Sequence, residues 1–146
     1  MALLDGYRRR RFLTAEERAQ IEAGLASAAG HTRARLHLYI DDTAAPEASP
    51  RARQCFSAWR LDPAERETAV LVYVSAASWT HAVIGGEEIR RVAPAAFWEA
   101  VDAELRRHFA ERRFCDGIFK ALSQVAIQLK HHYPNPPSSP PAAAVS

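Results

Sequence analysis

Apolar and polar positions repeat with two different periods along the chain, and these periods predict both strands and helices. Residues 69–74 read AVLVYV, a continuous apolar run typical of a central strand that is covered on both faces. Alternation over residues 35–40 and a short run over residues 80–84 predict two further strands. Because the connection before the last strand is very short, the last two strands are predicted to pair as an antiparallel hairpin.

Apolar residues at helical spacing predict helices before, between and after the strands. Thr14 and Glu17 form a capping-box pattern at the start of the first helix, and Ser49-Pro50 is predicted to open the helix after the first strand. Two long helices are predicted at about 95–110 and 114–131. Their expected buried residues are Phe97, Trp98, Val101, Leu105 and Phe109 in the first, and Phe114, Ile118, Leu122, Val125 and Leu129 in the second.

The predicted order is helix, strand, helix, two-stranded hairpin, helix, helix. Strands interleaved with amphipathic helices predict the α/β class, with a sheet that carries helices on its faces. We predict a basic arm at residues 1–12, one folded domain at residues 13–133, and a tail at residues 134–146. The tail is rich in Pro, Ala and Ser and is expected to be disordered.

Composition excludes several protein classes. The 146 residues, 48% hydrophobic and 25% charged, suit one soluble globular domain, and a net charge of +2 is too small to predict nucleic-acid binding. Cys55 and Cys115 lie far apart and lack the spacing of a zinc site or a disulfide framework. Every apolar run is far shorter than the roughly 20 residues of a membrane-spanning helix. The N-terminus also lacks the apolar core of a signal peptide, so we expect a cytoplasmic protein.

The strongest charge cluster is the run Arg8, Arg9, Arg10 and Arg11. These side chains could contact phosphate groups or anionic lipid and so associate the protein with a membrane. The alternative is a solvated arm, because four charges without a supporting basic face bind weakly.

Carboxylates follow two of the predicted strands. Asp41 and Asp42 come after the first strand, and Glu87 and Glu88 come after the third. If these loops meet at one edge of the sheet, their oxygens could bind a hard cation such as calcium or magnesium. The alternative is that they are solvated turn residues and helix N-terminal charges.

Several segments resemble the TPM-domain family, whose members include a thylakoid lumen phosphatase, a photosystem II repair protein and a modulator of nematode acetylcholine receptors. The matching segments extend over most of residues 12–133. They are Phe12–Glu17, Ala69–Val74, Ala82–Gly85, Phe97–Val101, His108–Phe109 and Arg113–Ile118. The resemblance implies a three-layer α/β/α sandwich with a central mixed sheet of three to four strands and helices on both faces.

The resemblance also implies that functional acids lie in the strand-end loops. By position these are Asp41 and Asp42, together with Asp116 near the start of the last helix. The chain departs from the family pattern at Ser78, in the hairpin turn, and at Gly86, after the hairpin, where many relatives carry Asp. Fewer acids weaken the implied calcium site, because calcium affinity rises with ligand charge.

Two functions follow from the resemblance and both stay open at this point. The first is a non-catalytic binding module that assists the maintenance or assembly of membrane or envelope proteins through a protein partner. The second is a metal-assisted acid phosphatase, with calcium or another divalent cation as a weakly bound cofactor.

Overall fold

A computed structural model describes residues 12–135 of the chain. Except for Phe12, the predicted basic arm lies outside the described residues, as does the predicted tail from residue 136 onward. In chain order the elements are α1 (Ala15–Ala29), β1 (Leu36–Asp41), α2 (Ala48–Ala58), α3 (Pro63–Thr68), β2 (Val70–Ser75), β3 (Thr80–Gly85), α4 (Glu87–Val92), α5 (Ala95–Ala110) and α6 (Phe114–His132).

The three predicted strands form one mixed sheet, and their order is β1-β2-β3. β1 runs parallel to β2, and β3 runs antiparallel to it. One edge, here called the turn edge, aligns Asp41 with Ser75 and Thr80; the opposite edge, here called the glycine edge, aligns Leu36 with Val70 and Gly85. Because β3 is antiparallel, it ends at the glycine edge, whereas β1 and β2 end at the turn edge.

Helices cover both faces of the sheet, so the α/β sandwich is confirmed. Every residue of β2 is buried, as expected for a central strand. Val70, Val72 and Val74 pack into the main core with side chains of α1, α5 and α6. On the other face, Tyr73 and Ala82 belong to a smaller cluster with Ala45, Ala48 and Ala52, at and before α2.

The predicted capping box of α1 is present. Thr14 Oγ1 accepts the N–H of Glu17 at 3.0 Å, and the Glu17 carboxylate accepts the N–H of Thr14 at 2.9 Å. The predicted start of α2 was wrong. This helix begins at Ala48, and Pro50 lies within its first turn, where a residue without an N–H is tolerated because those amides have no partner inside the helix.

Most of the residues predicted to be buried on the two long helices, α5 and α6, are buried. Val101, Leu105 and Phe109 are buried in α5, whereas Phe97 and Trp98 are half-buried. All five expected residues of α6 are buried. The two helices approach closely at Gly117, where a Cβ would lie 2.7 Å from the Cβ of His108.

The chain after α6 returns to the loop between α1 and β1. Pro134 pairs with Thr32, and the Asn135 side chain donates a hydrogen bond to the carbonyl oxygen of Gly30 at 2.6 Å. The first two residues of the predicted tail therefore contact the domain. Within residues 12–135, no helix has the length and apolar character needed to cross a bilayer.

Candidate functional site

At the turn edge, hydroxyl side chains form hydrogen bonds between the loop after β1 and the β2–β3 hairpin. Ser75 Oγ donates to the carbonyl oxygen of Thr43 at 2.9 Å, and Thr80 Oγ1 donates to that of Ala45 at 2.5 Å. Ser78 Oγ accepts the N–H of Ala45 at 2.8 Å. These bonds satisfy loop backbone groups that would otherwise need water.

Asp41 lies at the centre of this edge, with its side chain only 4% exposed. Its Oδ2 accepts hydrogen bonds from Arg51 Nε at 2.9 Å and from the Tyr73 hydroxyl at 2.7 Å. Its Oδ1 accepts the N–H of Thr43 at 2.9 Å. Both carboxylate oxygens are therefore bonded within the chain, and Asp41 joins β1 to α2 and β2.

The protonation of this cluster follows from its contacts. Burial alone raises the pKa of Asp41, but the hydrogen bonds from Arg51, Thr43 and Tyr73 outweigh it and lower the pKa to about 2. The pKa of Tyr73 is raised, first by burial and then by its bond to Asp41. Asp41 is therefore a carboxylate, and Tyr73 is a neutral donor, over the physiological range.

The other predicted acids do not gather around Asp41. Asp42 follows it but is exposed, and Glu87 and Glu88 begin α4 at the glycine edge. Each strand is six residues long, so five steps of about 3.3 Å place the two edges roughly 16 Å apart. Asp116 is exposed in the first turn of α6 and forms an ion pair with Arg113 at 2.9 Å.

The fit of these residues to a hard cation is poor. In the described part of the chain, no three His, Cys, Asp or Glu side chains form a group that could hold a metal ion. Calcium takes six to eight oxygen ligands, and the oxygens of Asp41 already serve Arg51, Tyr73 and Thr43. The arrangement favours a structural role for Asp41, and the calcium site stays a prediction.

Sequence reasoning missed Arg51 and Tyr73, the two side chains that bind Asp41. Arg51 comes from α2, ten residues after Asp41, and nothing in the spacing pairs them. Tyr73 could have been recognised only weakly, because it is the one residue with a polar group in the apolar run AVLVYV, and a buried tyrosine hydroxyl usually has a hydrogen-bond partner.

A second feature is an apolar groove between α1 and α6, here called the α1–α6 groove. Phe119 and Ile127 on α6 are 44% and 67% exposed beside it. Two adjoining clefts, of about 800 and 300 Å³, share Gly24 and Phe119 in their walls. Gly24 gives Phe119 room, because a Cβ there would lie 3.3 Å from its ring.

One end of the α1–α6 groove is cationic. Arg107, Arg113 and Lys120 line the larger cleft, together with a single carboxylate, Asp116. Glu104 pairs with Arg107 and, at 3.7 Å, with Lys120, and Arg113 pairs with Asp116 at 2.9 Å and with Glu111 at 3.8 Å, so these carboxylates neutralise part of this charge. The smaller cleft is apolar apart from two serines, Ser27 and Ser123.

Comparison with known proteins identifies a family and a solved structure that this chain resembles. The model of the TPM domain matches residues 7–128. The chain belongs to the TPM domain family. Among the matching solved structures is the NMR structure of the BA42 protein from the psychrophilic bacterium Bizionia argentinensis, with a TM-score of 0.75 and 22% identity over 88% of this chain and 89% of that one. No curated protein matches the chain.

Within this TPM domain, the two departures from the implied acid pattern lie at opposite edges. Ser78 is at the turn edge, where it holds Ala45. Gly86 is at the glycine edge, where a Cβ would lie 2.0 Å from the carbonyl oxygen of Arg66 and 2.5 Å from that of Glu67. Gly86 is therefore required by close backbone contact, and an acid there would need the chain to move.

Proposed function

We propose that this TPM domain is a non-catalytic binding module that assists the maintenance or assembly of membrane or envelope proteins. Its partner contributes an amphipathic helix with acidic side chains, which docks in the α1–α6 groove. The observation that carries the proposal is the exposure of Phe119 and Ile127 on α6. The link to membrane or envelope proteins rests on the family resemblance alone.

A helix suits the shape of this groove. Ala23, Gly24 and Ala28 on α1 face the groove with little or no side chain, which allows a third helix to approach. An amphipathic helix presents apolar residues every three to four positions, and this spacing matches Phe119 and Ile127, which lie eight residues apart on α6.

Charge complementarity favours acidic side chains on the partner. Arg107, Arg113 and Lys120 line this end of the groove with one carboxylate, Asp116, whereas their other partners, Glu104 and Glu111, lie outside the lining. An acidic helix would be steered toward this end, and its association rate would fall with added salt.

The contacts of Asp41 support a non-catalytic role. A metal-assisted phosphatase needs an open ligand position or an activated nucleophile. Among residues 12–135, the one strand-end carboxylate that is buried is Asp41, and it is bonded to Arg51, Tyr73 and Thr43. The acid phosphatase is the alternative, and it would need this cluster to open.

A peptide titration tests the docking proposal directly. The probe is a synthetic amphipathic helix of about 18 residues, five turns long, with leucines on one face and glutamates on the other. We expect amide chemical shifts to change along α1 and α6, and Phe119→Ser and Ile127→Ser to weaken binding at least tenfold. Val92→Ser is the matched control, because Val92 is 42% exposed on α4 and should be neutral.

Three outcomes would count against this docking proposal. A lysine-for-glutamate version of the peptide that binds equally well would remove the charge argument. Shift changes away from α1 and α6 would remove the groove. A concentration-dependent dimer that Ile127→Ser dissociates would assign the groove to a second copy of the chain.

Calorimetry with calcium distinguishes the two functions. We expect no binding, or a dissociation constant near the millimolar range of loose sites, and no hydrolysis of p-nitrophenyl phosphate above that of a control variant. Micromolar binding that is lost in an Asp41→Asn, Asp42→Asn double variant, with hydrolysis lost in parallel, would favour the phosphatase instead.

A further inference from the structure

A separate cleft of about 410 Å³ opens on the α2 side of the sheet, here called the α2 cleft. Leu71 of the central strand is 1% exposed and forms its floor, while Tyr39 of β1 and Trp59 at the end of α2 contribute aromatic walls. His37 extends the aromatic surface, with its ring centroid 5.5 Å from that of Trp59. Ligand pockets of small molecules have this size and this mainly apolar lining.

Arg66 binds the backbone at Trp59. The guanidinium of Arg66 donates to the carbonyl oxygens of Phe56 and Trp59, at 2.6 and 2.5 Å, and so satisfies the end of α2. Its guanidinium carbon also lies 5.3 Å from the ring centroid of Phe56. The backbone that carries Trp59 is thus held before any ligand binds, which lowers the entropic cost of binding.

Arg51 provides a positive charge in the lining of the cleft. Its Nε donates to Asp41 Oδ2 at 2.9 Å, so Arg51 and Asp41 form an ion pair. A guanidinium has five N–H donors, so those on its other nitrogens can bind an anion. The side chain is 40% exposed, so a ligand can reach it.

No carboxylate of the described residues lines the α2 cleft. Cys55 contributes a thiol, and burial raises its pKa, which keeps it neutral and apolar. Gln54 adds an amide. The lining therefore combines the guanidinium of Arg51, which is oriented by its ion pair with Asp41, with aromatic and neutral surface.

We propose that the α2 cleft binds a small aromatic carboxylate, with its ring between Tyr39 and Trp59 and its carboxylate on the guanidinium of Arg51. Arginine forms paired, charge-assisted hydrogen bonds with carboxylates, and flat aromatic bodies stack on aromatic walls. This site is separate from the α1–α6 groove and does not depend on the docking proposal.

Indole-3-acetate and its neutral amide, indole-3-acetamide, are suitable probes in an NMR titration of the ¹⁵N-labelled chain. The protein has three tryptophans, so their indole N–H signals report by position. We expect saturable shifts at Trp59 and at residues 37–39 and 51–58, with Trp79 and Trp98 unchanged. The amide should bind at least tenfold more weakly, because it lacks the charge that pairs with Arg51.

Two tryptophan substitutions on α2 provide a matched test. Ala58 lines the cleft and is exposed, so Ala58→Trp should fill the cleft without disturbing the core, and should weaken indole-3-acetate binding more than tenfold. Ser57 is the exposed neighbour outside the lining, and Ser57→Trp should leave binding unchanged. Equal effects of the two substitutions, or equal binding of the acid and the amide, would overturn the proposal.

Discussion

Acidic residues lie at both the turn edge and the glycine edge of the sheet, but their surroundings differ. At the turn edge Asp41 is buried and bonded to Arg51 and Tyr73. At the glycine edge Glu87 and Glu88 begin α4, where the helix dipole favours negative charge. The difference follows from the direction of β3, which runs opposite to β1. Acids that follow two strands of one sheet lie at the same edge only when those strands run in the same direction.

The largest expected effect is a difference in stability between substitutions at Gly86 and at Ser78, the two positions that depart from the implied acid pattern. Gly86→Asp should lower the free energy of unfolding by about 3 kcal/mol, because its Cβ would overlap the backbone of Arg66 and Glu67. Gly86→Ala should cost nearly as much, since the overlap involves the Cβ. Ser78→Asp should cost less than about 1 kcal/mol, because Ser78 is half-buried and a carboxylate can still accept the Ala45 N–H.

Urea denaturation of the three variants measures this difference. A loss at Ser78→Asp as large as that at Gly86→Asp would mean that the turn edge is as tightly packed as the glycine edge. The contrast between the edges would then be wrong.

A smaller effect tests the role of Asp41 against that of a glycine-edge acid. Asp41→Asn should lower the free energy of unfolding by about 2 kcal/mol, because it removes a buried charge that accepts three hydrogen bonds. Glu87→Gln should leave stability unchanged, because Glu87 is exposed. Thermal melts at pH 7 compare the two variants. An Asp41→Asn variant as stable as the unsubstituted protein would show that the contacts of Asp41 contribute nothing to stability.

The pH dependence of stability gives an independent measure of the same carboxylate. The pKa of Asp41 is lowered from 3.8 to about 2, so the unfolded chain binds the proton more tightly than the folded one. The contribution is therefore complete above about pH 5 and is lost as the pH falls toward 2. Because solvent around Arg51 screens its ion pair, we expect Asp41 to contribute about 1 to 2 kcal/mol to the free energy of unfolding, and this pH-dependent contribution should be absent in Asp41→Asn. Curves of unfolding free energy against pH that run parallel for the two proteins between pH 5 and 2 would contradict this.

The smallest expected effect concerns the hydroxyl network of the turn edge. Ser78→Ala removes the acceptor of the Ala45 N–H and should cost about 1 kcal/mol. Ser57→Ala is the control, because Ser57 is exposed on α2. Hydrogen exchange should also accelerate at Ala45 in the first variant, and unchanged exchange there would mean that another group replaces Ser78.

Local patterns were enough to predict most of the architecture. The run AVLVYV became a fully buried central strand, and Thr14 with Glu17 formed the predicted capping box. The short connection after Ser75 gave the predicted antiparallel hairpin. Each of these features depends on residues close together in sequence, and the physics that produces it therefore acts over the same few residues.

The candidate sites were less predictable, because they depend on residues distant in sequence. The sequence by itself determined that acids follow the strands and that residues 114–131 form an amphipathic helix, since those properties belong to single segments. The tertiary structure decided that Asp41 meets Arg51 and Tyr73, and that Gly86 presses against the backbone of Arg66. Strand direction and helix packing fix these contacts, and both arise from the burial of whole faces rather than from any local motif.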